Sequence, residues 1–409
     1  MKNIKQQKVA ITGLGLMCGA GFDLGSSWEG IINGKKTIRH LSSFDTEGLS
    51  PNYGVQLPDG AEEIFKKNII TRSRRQMTRG TKICISTAGM AIADSGLDME
   101  KIPKTRIGTV IGGTGTGYAN AGGNIDRNRI LKNMASAPAA WISLKWKLQG
   151  PSYVLSTACS SGAYALHSAF LLITSGECDV VISGAGDSSL NYPDIQGFSS
   201  LLALAEQKDN IETSSKPFSG DRDGFVMGEG GGMLVMESME HAEERGARIY
   251  ATMKLPGLYS ETYNIMSPEP GGRGMAAAME NALRNSNLEP DKIDYINAHG
   301  TSTILNDKYE TLAIKGVFGK HAENIPVSST KSTTGHCLAG TAGIEAVICC
   351  KALNENIIPP TMNLKVPDPE LDLDYVPDKP RKKDLTNVLS NSFAFGGHNG
   401  VCIFSKYKK

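Results

Sequence analysis

A helix, a tight turn and a buried strand recur in the same order in the two halves of this chain. In the first half a helical run at residues 87–95 passes through Gly96-Leu97 into the apolar strand 107–111 and then Gly112-Gly113-Thr114. In the second, the helical run 275–285 passes through Asn287-Leu288 into strand 293–297 and then His299-Gly300-Thr301. The next elements also correspond: Leu155-Ser156-Thr157 leads to a helix beginning at Cys159, and Val327-Ser328-Ser329-Thr330-Lys331 leads to one opened by Gly335-His336. Self-similarity of this kind predicts two copies of one ancestral α/β unit, divided here into 1–250 and 251–409. A pseudo-twofold pair would bring the ends of equivalent strands together. Cys159, His299 and His336 could then meet although they are far apart in sequence.

The rest of the chain agrees with a layered α/β protein. Residues 9–13, 180–184 and 232–236 read as buried strands, with helical stretches at 83–95 and 163–175 between them. With 409 residues and 40% hydrophobic content there is enough apolar material for one large domain or two fused halves. The 43 basic residues nearly balance the 42 acidic ones, which excludes a general nucleic-acid or membrane-surface binder, so a charged partner must be met by a local patch. No apolar run reaches the roughly 18 residues of a membrane span. Eight cysteines without regular spacing, and no leader pattern at the N-terminus, point to a reducing, cytoplasmic setting.

Cys159 is the first candidate for chemistry. It follows the apolar run Tyr153-Val154-Leu155 and stands at the start of a helix, where unpaired backbone N–H groups and the helix dipole favour an anion. A thiol whose ordinary pKa is about 8.5 is expected to fall toward or below neutrality there, as a nucleophile requires. Cys18, Cys84, Cys178, Cys337, Cys349, Cys350 and Cys402 lie in or beside apolar runs and form no Cys-x-x-Cys pair, so they read as packing residues.

Of the seven histidines, His40, His167, His241 and His321 sit in ordinary helix or loop context. His299 and His336 each follow a buried strand, the end at which α/β sheets carry their catalytic groups. Two such imidazoles can each donate Nε2–H to one oxygen, which suits a thioester carbonyl turning into an enolate. A metal site would need ligands from three distant segments with no short-range pair, so no metal is expected. Lys331 is placed to charge or orient the site and Glu345, on the following helix, to balance it. The glycine-rich run around Phe395-Gly396-Gly397 allows close backbone approach. The N–H groups of Phe395 and Cys159 would form an oxyanion hole, and the Phe395 ring could gate the pocket.

Together, Thr157-Ala158-Cys159-Ser160-Ser161-Gly162, Asn297-Ala298-His299-Gly300-Thr301-Ser302-Thr303, Lys331-Ser332-Thr333-Thr334-Gly335-His336 and the run 391–399 resemble the β-ketoacyl-[acyl carrier protein] synthases (KAS I/II), most closely the KAS II (FabF-type) branch. Lys216-Pro217-Phe218 and the run 222–230 resemble the same family. The resemblance implies a thiolase-like fold of five layers, αβαβα, made of two duplicated halves. It implies a homodimer, or a heterodimer with a related ketosynthase subunit. It also implies ping-pong chemistry, a 3-oxoacyl-[acyl carrier protein] synthase activity. Acyl carrier protein loads an acyl chain onto Cys159, malonyl carrier enters, His299 and His336 assist decarboxylation, and the carbanion attacks the acyl thioester. No cofactor is implied beyond the carrier's phosphopantetheine arm.

Further residues follow from the resemblance alone. Thr301 and Thr303 would bind substrate, and Thr116, Phe198 and Phe393 would line the acyl pocket. Arg72, Arg74, Arg75 and Arg79 align with the family's docking segment for the acidic carrier. The stretch 118–150 is shorter than is usual, and residues 135–141, 255–259 and the loop with His398 also depart from the common pattern, which bears on chain-length preference. The nearest rival function is a specialised ketosynthase of a type II polyketide or polyene pathway. A non-catalytic subunit of the chain-length-factor kind usually lacks the nucleophile. A degradative thiolase would need a second catalytic cysteine near the C-terminus, where this chain has Phe393-Ala394-Phe395.

Overall fold

A computed structural model describes residues 7–113, 127–206 and 209–408. The first half runs β1 (Val9–Met17), α1 (Arg79–Ser95), β2 (Ile107–Gly112), α2 (Ala137–Trp146), β3 (Ser152–Leu155), α3 (Ser161–Thr174), β4 (Val180–Ser188) and β5 (Glu229–Ser238). The second runs β6 (Ala251–Met253), α4 (Arg273–Ser286), β7 (Tyr295–Asn297), α5 (Ile304–Phe318), β8 (Val327–Ser328), α6 (Thr341–Glu355), β9 (Asn387–Ala394) and β10 (His398–Ser405). Element for element, the second order repeats the first.

Strand pairing repeats as well. The sheet path reads β3-β2-β4-β5-β1 and continues β6-β10-β9-β7-β8. In the first half β2 is parallel to β3 and β4, while β5 is antiparallel to β4 and β1. In the second, β7 is parallel to β8 and β9, and β10 is antiparallel to β9 and β6. The halves join where β1 pairs antiparallel with β6. The repeated turns seen in the sequence have one physical cause. Gly96 and Asn287 cap α1 and α4 in the left-handed region, at φ 62° and 52°, which glycine and asparagine tolerate best.

Helices α1 and α2 cover the first-half strands, and α4 and α5 lie against the second half. Between them, α3 and α6 touch each other and strands of both halves, which makes five layers in all. Solvent reaches little of either middle helix, Leu171 being the exposed residue of α3. Accordingly α6 is buried on every side from residue 341 to 350, and its sequence has no polar stripe. Close approach of the two middle helices depends on glycine: a Cβ on Gly162 of α3 would lie 2.8 Å from the Gly343 nitrogen of α6. That contact sets the starts of α3 and α6, and the loops entering them, side by side.

One expected boundary differs. His336 does not open α6. A short helix, Lys331–Thr334, comes first, and His336 lies in the segment between it and α6.

Candidate active site

The turn from β3 into α3 holds Cys159 one residue before the helix cap, Ser160. The preceding residue, Ala158, has φ 49°, a left-handed conformation that a side chain makes unfavourable. The strained turn is braced by short-range bonds: Ser161 Oγ accepts from Thr157 N at 2.9 Å and donates to Ala158 O at 2.6 Å. Cys159 is thereby held at the floor of a cavity of about 320 Å³, which His299, His336, Phe393 and Phe395 also line.

His336 Nε2 lies 3.1 Å from Cys159 Sγ, and its Nδ1 lies 3.0 Å from the Thr341 hydroxyl at the start of α6. The His299 ring stands edge-on to that of His336, centroids 5.4 Å apart. Lys331 and Glu345 form an ion pair at 2.5 Å with both side chains withdrawn from solvent. Burial, with the Lys331 cation adding to it, holds both imidazoles well below their ordinary pKa, so each is neutral. Burial also raises the Glu345 carboxyl to about 7, against the pull of Lys331.

The Cys159 thiol departs from expectation. Burial pushes it up to about 12, with the Lys331 charge working in the other direction. Placement at a helix start does not compensate for an apolar, water-poor floor. The resting group is therefore a neutral thiol beside a neutral imidazole.

Two family models match the chain: beta-ketoacyl synthase, N-terminal domain, over residues 6–242, and beta-ketoacyl synthase, C-terminal domain, over residues 250–365. The chain belongs to the beta-ketoacyl synthases. It is 39% identical to 3-oxoacyl-[acyl-carrier-protein] synthase 2 of Synechocystis sp., over the full length of both chains. Among solved structures it resembles a beta-ketoacyl synthase from Burkholderia phymatum, with 31% identity, a TM-score of 0.90, and 98% of this chain and 100% of the other covered. It also resembles the ketosynthase of a type II PKS acyl-carrier protein complex bound to the hexaketide, with 29% identity, a TM-score of 0.87 and the same coverage. The five layers are thus those of a thiolase-like ketosynthase.

In this synthase Phe198 also lines the cavity, its ring 5.5 Å from that of Phe225, which in turn stands against His336. Thr301 and Thr303 line the same cavity, and their hydroxyls are 2.8 Å apart. Thr116 lies outside the described residues. Of the four arginines, Arg72 and Arg75 are exposed, and Arg74 is half-buried with a bond to Thr71. Arg79 is different: its guanidinium pairs with the buried Glu229 at 2.6 Å and with Glu62 at 2.5 Å. Its charge is thus matched by two carboxylates, unlike those of Arg72 and Arg75.

Two carboxylates that sequence reasoning missed hold the second-half loop. Glu310 accepts the backbone N–H of His299 at 2.8 Å and of Gly300 at 2.7 Å, and also the Asn391 amide at 2.9 Å. Asp307, one turn earlier on α5, accepts from Ser302 N at 3.2 Å and Phe218 N at 2.8 Å. Two acids three apart on a helix, directly after the His299 motif, were the available signal.

Proposed function

We propose that this synthase catalyses the decarboxylative Claisen condensation of an acyl thioester with malonyl-[acyl carrier protein], giving 3-oxoacyl-[acyl carrier protein]. The 3.1 Å contact of Cys159 Sγ with His336 Nε2, in an apolar cavity that His299 also lines, carries this reading. In the first half-reaction the Cys159 sulfur attacks the acyl carbonyl while its proton moves to His336 Nε2. That proton then passes to the departing phosphopantetheine sulfur. The Thr341 hydroxyl can donate or accept, so it supports either tautomer of His336.

In the second half-reaction the malonyl C–C bond breaks and CO₂ leaves, and the electron pair moves onto the thioester oxygen as an enolate. His299 and His336, both neutral, stabilise that oxygen through Nε2–H, His336 after exchanging its ring proton to the tautomer in which Nδ1 accepts from the Thr341 hydroxyl. The enolate carbon attacks the Cys159 acyl group. The resulting oxyanion takes hydrogen bonds from the backbone N–H groups of Cys159 and Phe395. Its collapse breaks the C–S bond, and the released thiolate takes a proton from water. Burial keeps the imidazoles unprotonated and the Lys331 charge, paired with Glu345, adds to it, while Phe198 and Phe393 line the acyl pocket and Thr301 and Thr303 meet the pantetheine arm.

In this reading the phosphopantetheine arm arrives with the substrate and no separate cofactor takes part. The division near residue 250 is supported by the repeated strand order, which restarts with β6 at Ala251. Pairing with a second ketosynthase chain, identical or related, is supported by the outer edge of β3, which meets no strand among the described residues. Among those residues no helix is long and apolar enough to cross a membrane. A cytoplasmic setting is supported by eight cysteines that are all unpaired thiols.

Intact-protein mass spectrometry after exposure to acyl carriers tests the function. The mass should rise by one acyl group, and the gain should vanish in Cys159→Ala. Absence of any gain with every carrier offered would overturn the proposal. The likeness to a type II polyketide ketosynthase favours a second reading, a specialised pathway. Loading by polyunsaturated but not saturated acyl carriers would select it.

A further inference from the structure

The His336 imidazole bridges the starts of the two middle helices. On one side its Nε2 lies 3.1 Å from Sγ of Cys159, just before α3. On the other its Nδ1 lies 3.0 Å from the hydroxyl of Thr341, the first residue of α6. Its other ring neighbours are Phe225, at 5.1 Å between centroids, and His299, at 5.4 Å. Thr341 is buried, and its hydroxyl makes no other hydrogen bond among the described residues.

A neutral imidazole carries one N–H, so two arrangements exist, and the groups each leaves unpaired rank them. With the hydrogen on Nδ1, the ring donates to Thr341 Oγ1 and Nε2 accepts the Cys159 thiol, but the Thr341 hydroxyl hydrogen has no acceptor. With the hydrogen on Nε2, the Thr341 hydroxyl donates to Nδ1 and nothing on that side is unpaired. While the thiol is present, its bond to Nε2 offsets the stranded hydroxyl hydrogen. Acylation removes the S–H and leaves only the penalty. A buried polar group without a partner is costly, so the ring hydrogen then belongs on Nε2.

We propose that Thr341 is a positioning residue whose hydroxyl holds the His336 hydrogen on Nε2 once Cys159 is acylated, turning the ring from acceptor of the thiol proton into donor to the malonyl thioester oxygen. The proposal rests on the condensation reading. The exchange is neutral overall: Nε2 gains a proton from water entering behind the departed carrier, and Nδ1 gives one back to it. Loading thus sets up the second half-reaction without any movement of the chain.

Thr341→Val keeps the side-chain shape and removes the hydroxyl. It strands Nδ1 when the hydrogen is on Nε2, but only exchanges one unpaired hydrogen for another when it is on Nδ1. CO₂ release from malonyl carrier should therefore slow by about tenfold, while acyl loading of Cys159 slows by less than about threefold. Thr341→Ser, which restores a hydroxyl, should bring the CO₂ rate back toward wild type. Equal slowing of both steps, as loosened packing would cause, overturns the proposal, and so does an unchanged CO₂ rate in Thr341→Val. Nitrogen-15 NMR of His336 in Cys159→Ala, which lacks the S–H without carrying an acyl group, reads the tautomer directly. Nδ1 should be the unprotonated, hydrogen-bonded nitrogen, and adding Thr341→Val should abolish that hydrogen-bond shift. A protonated Nδ1 there overturns the assignment. The NMR measurement needs no substrate, so failure of the wild type to take up acyl groups from any carrier sinks the condensation reading, a distinct result.

Discussion

The two halves share element order, strand pairing and the left-handed caps of their first helices, yet they place different groups at equivalent strand ends. After β3 the first half presents Cys159; after β8 the second presents Lys331 and His336. At the end of β2 the first half has Gly112, whose Cβ, if it had one, would lie 2.5 Å from the Gly162 nitrogen. Beyond β7 the second half carries His299, its loop pinned by Glu310. One half therefore gives up side chains to let backbone close on the nucleophile, while the other adds polar side chains around it. On the proposed chemistry the group that stores the acyl chain and the groups that polarise malonate come from different copies of one unit. The two tasks should be separable by mutation.

Cys159→Ala makes the sharpest break between them. Condensation should fall by about a thousandfold or more, because no other group can hold the acyl chain. Release of CO₂ from malonyl carrier should continue, since the second-half imidazoles remain. Radiolabelled CO₂ release measured beside product formation checks this, and equal loss of both would mean the halves do not divide the work. His299→Ala reverses the pattern. Loss of one enolate donor should slow decarboxylation by about a hundredfold to a thousandfold, while acyl loading of Cys159, followed by mass, stays near normal.

How far the sequence could be read follows the same division. Duplication was legible because cap residues and buried strands are local signals: Gly96 with Leu97 and Asn287 with Leu288 mark the same turn in both copies. That Cys159, His299 and His336 line one cavity could be reasoned from the pseudo-twofold, since equivalent strand ends meet. The thiol's acidity was not legible. A helix start argues for a low value, but the burial that outweighs it comes from His336, Leu338 and Phe225, residues distant in sequence that pack around it. The ion pair of Arg79 was hidden for a similar reason, because its partner Glu229 lies 150 positions away. Glu310 and Asp307 belong to an ordinary-looking helix until the fold sets them beneath the His299 loop.

The buried thiol has its own test. With a pKa near 12, the thiolate fraction at working pH is small and grows with every step toward that value. Alkylation of Cys159 by iodoacetamide should thus climb about tenfold per pH unit between roughly 7 and 9, without a plateau. A rate that levels off near neutrality would show that the first half acidifies its sulfur after all. The comparison would then change: the helix start, not proton transfer to the second-half His336, would create the nucleophile.

The smallest effect belongs to the surface outside both strand-end sites. Arg72 and Arg75 are exposed, on and just after the short helix Thr71–Arg74 of the first half, and the nearby Arg79 is already paired with Glu229 and Glu62. On the proposed reading the exposed pair is the better placed to attract an acidic carrier. Arg72→Glu combined with Arg75→Glu should raise KM for acyl carrier protein by about threefold to tenfold at low salt, and the difference should shrink as ionic strength rises, since exposed charges are screened over about 10 Å at 0.1 M. Arg79→Glu should instead lower the melting temperature, because it leaves Glu229 buried without its cation. A KM change of the same size in Arg79→Glu at unchanged stability would keep that residue in the docking set.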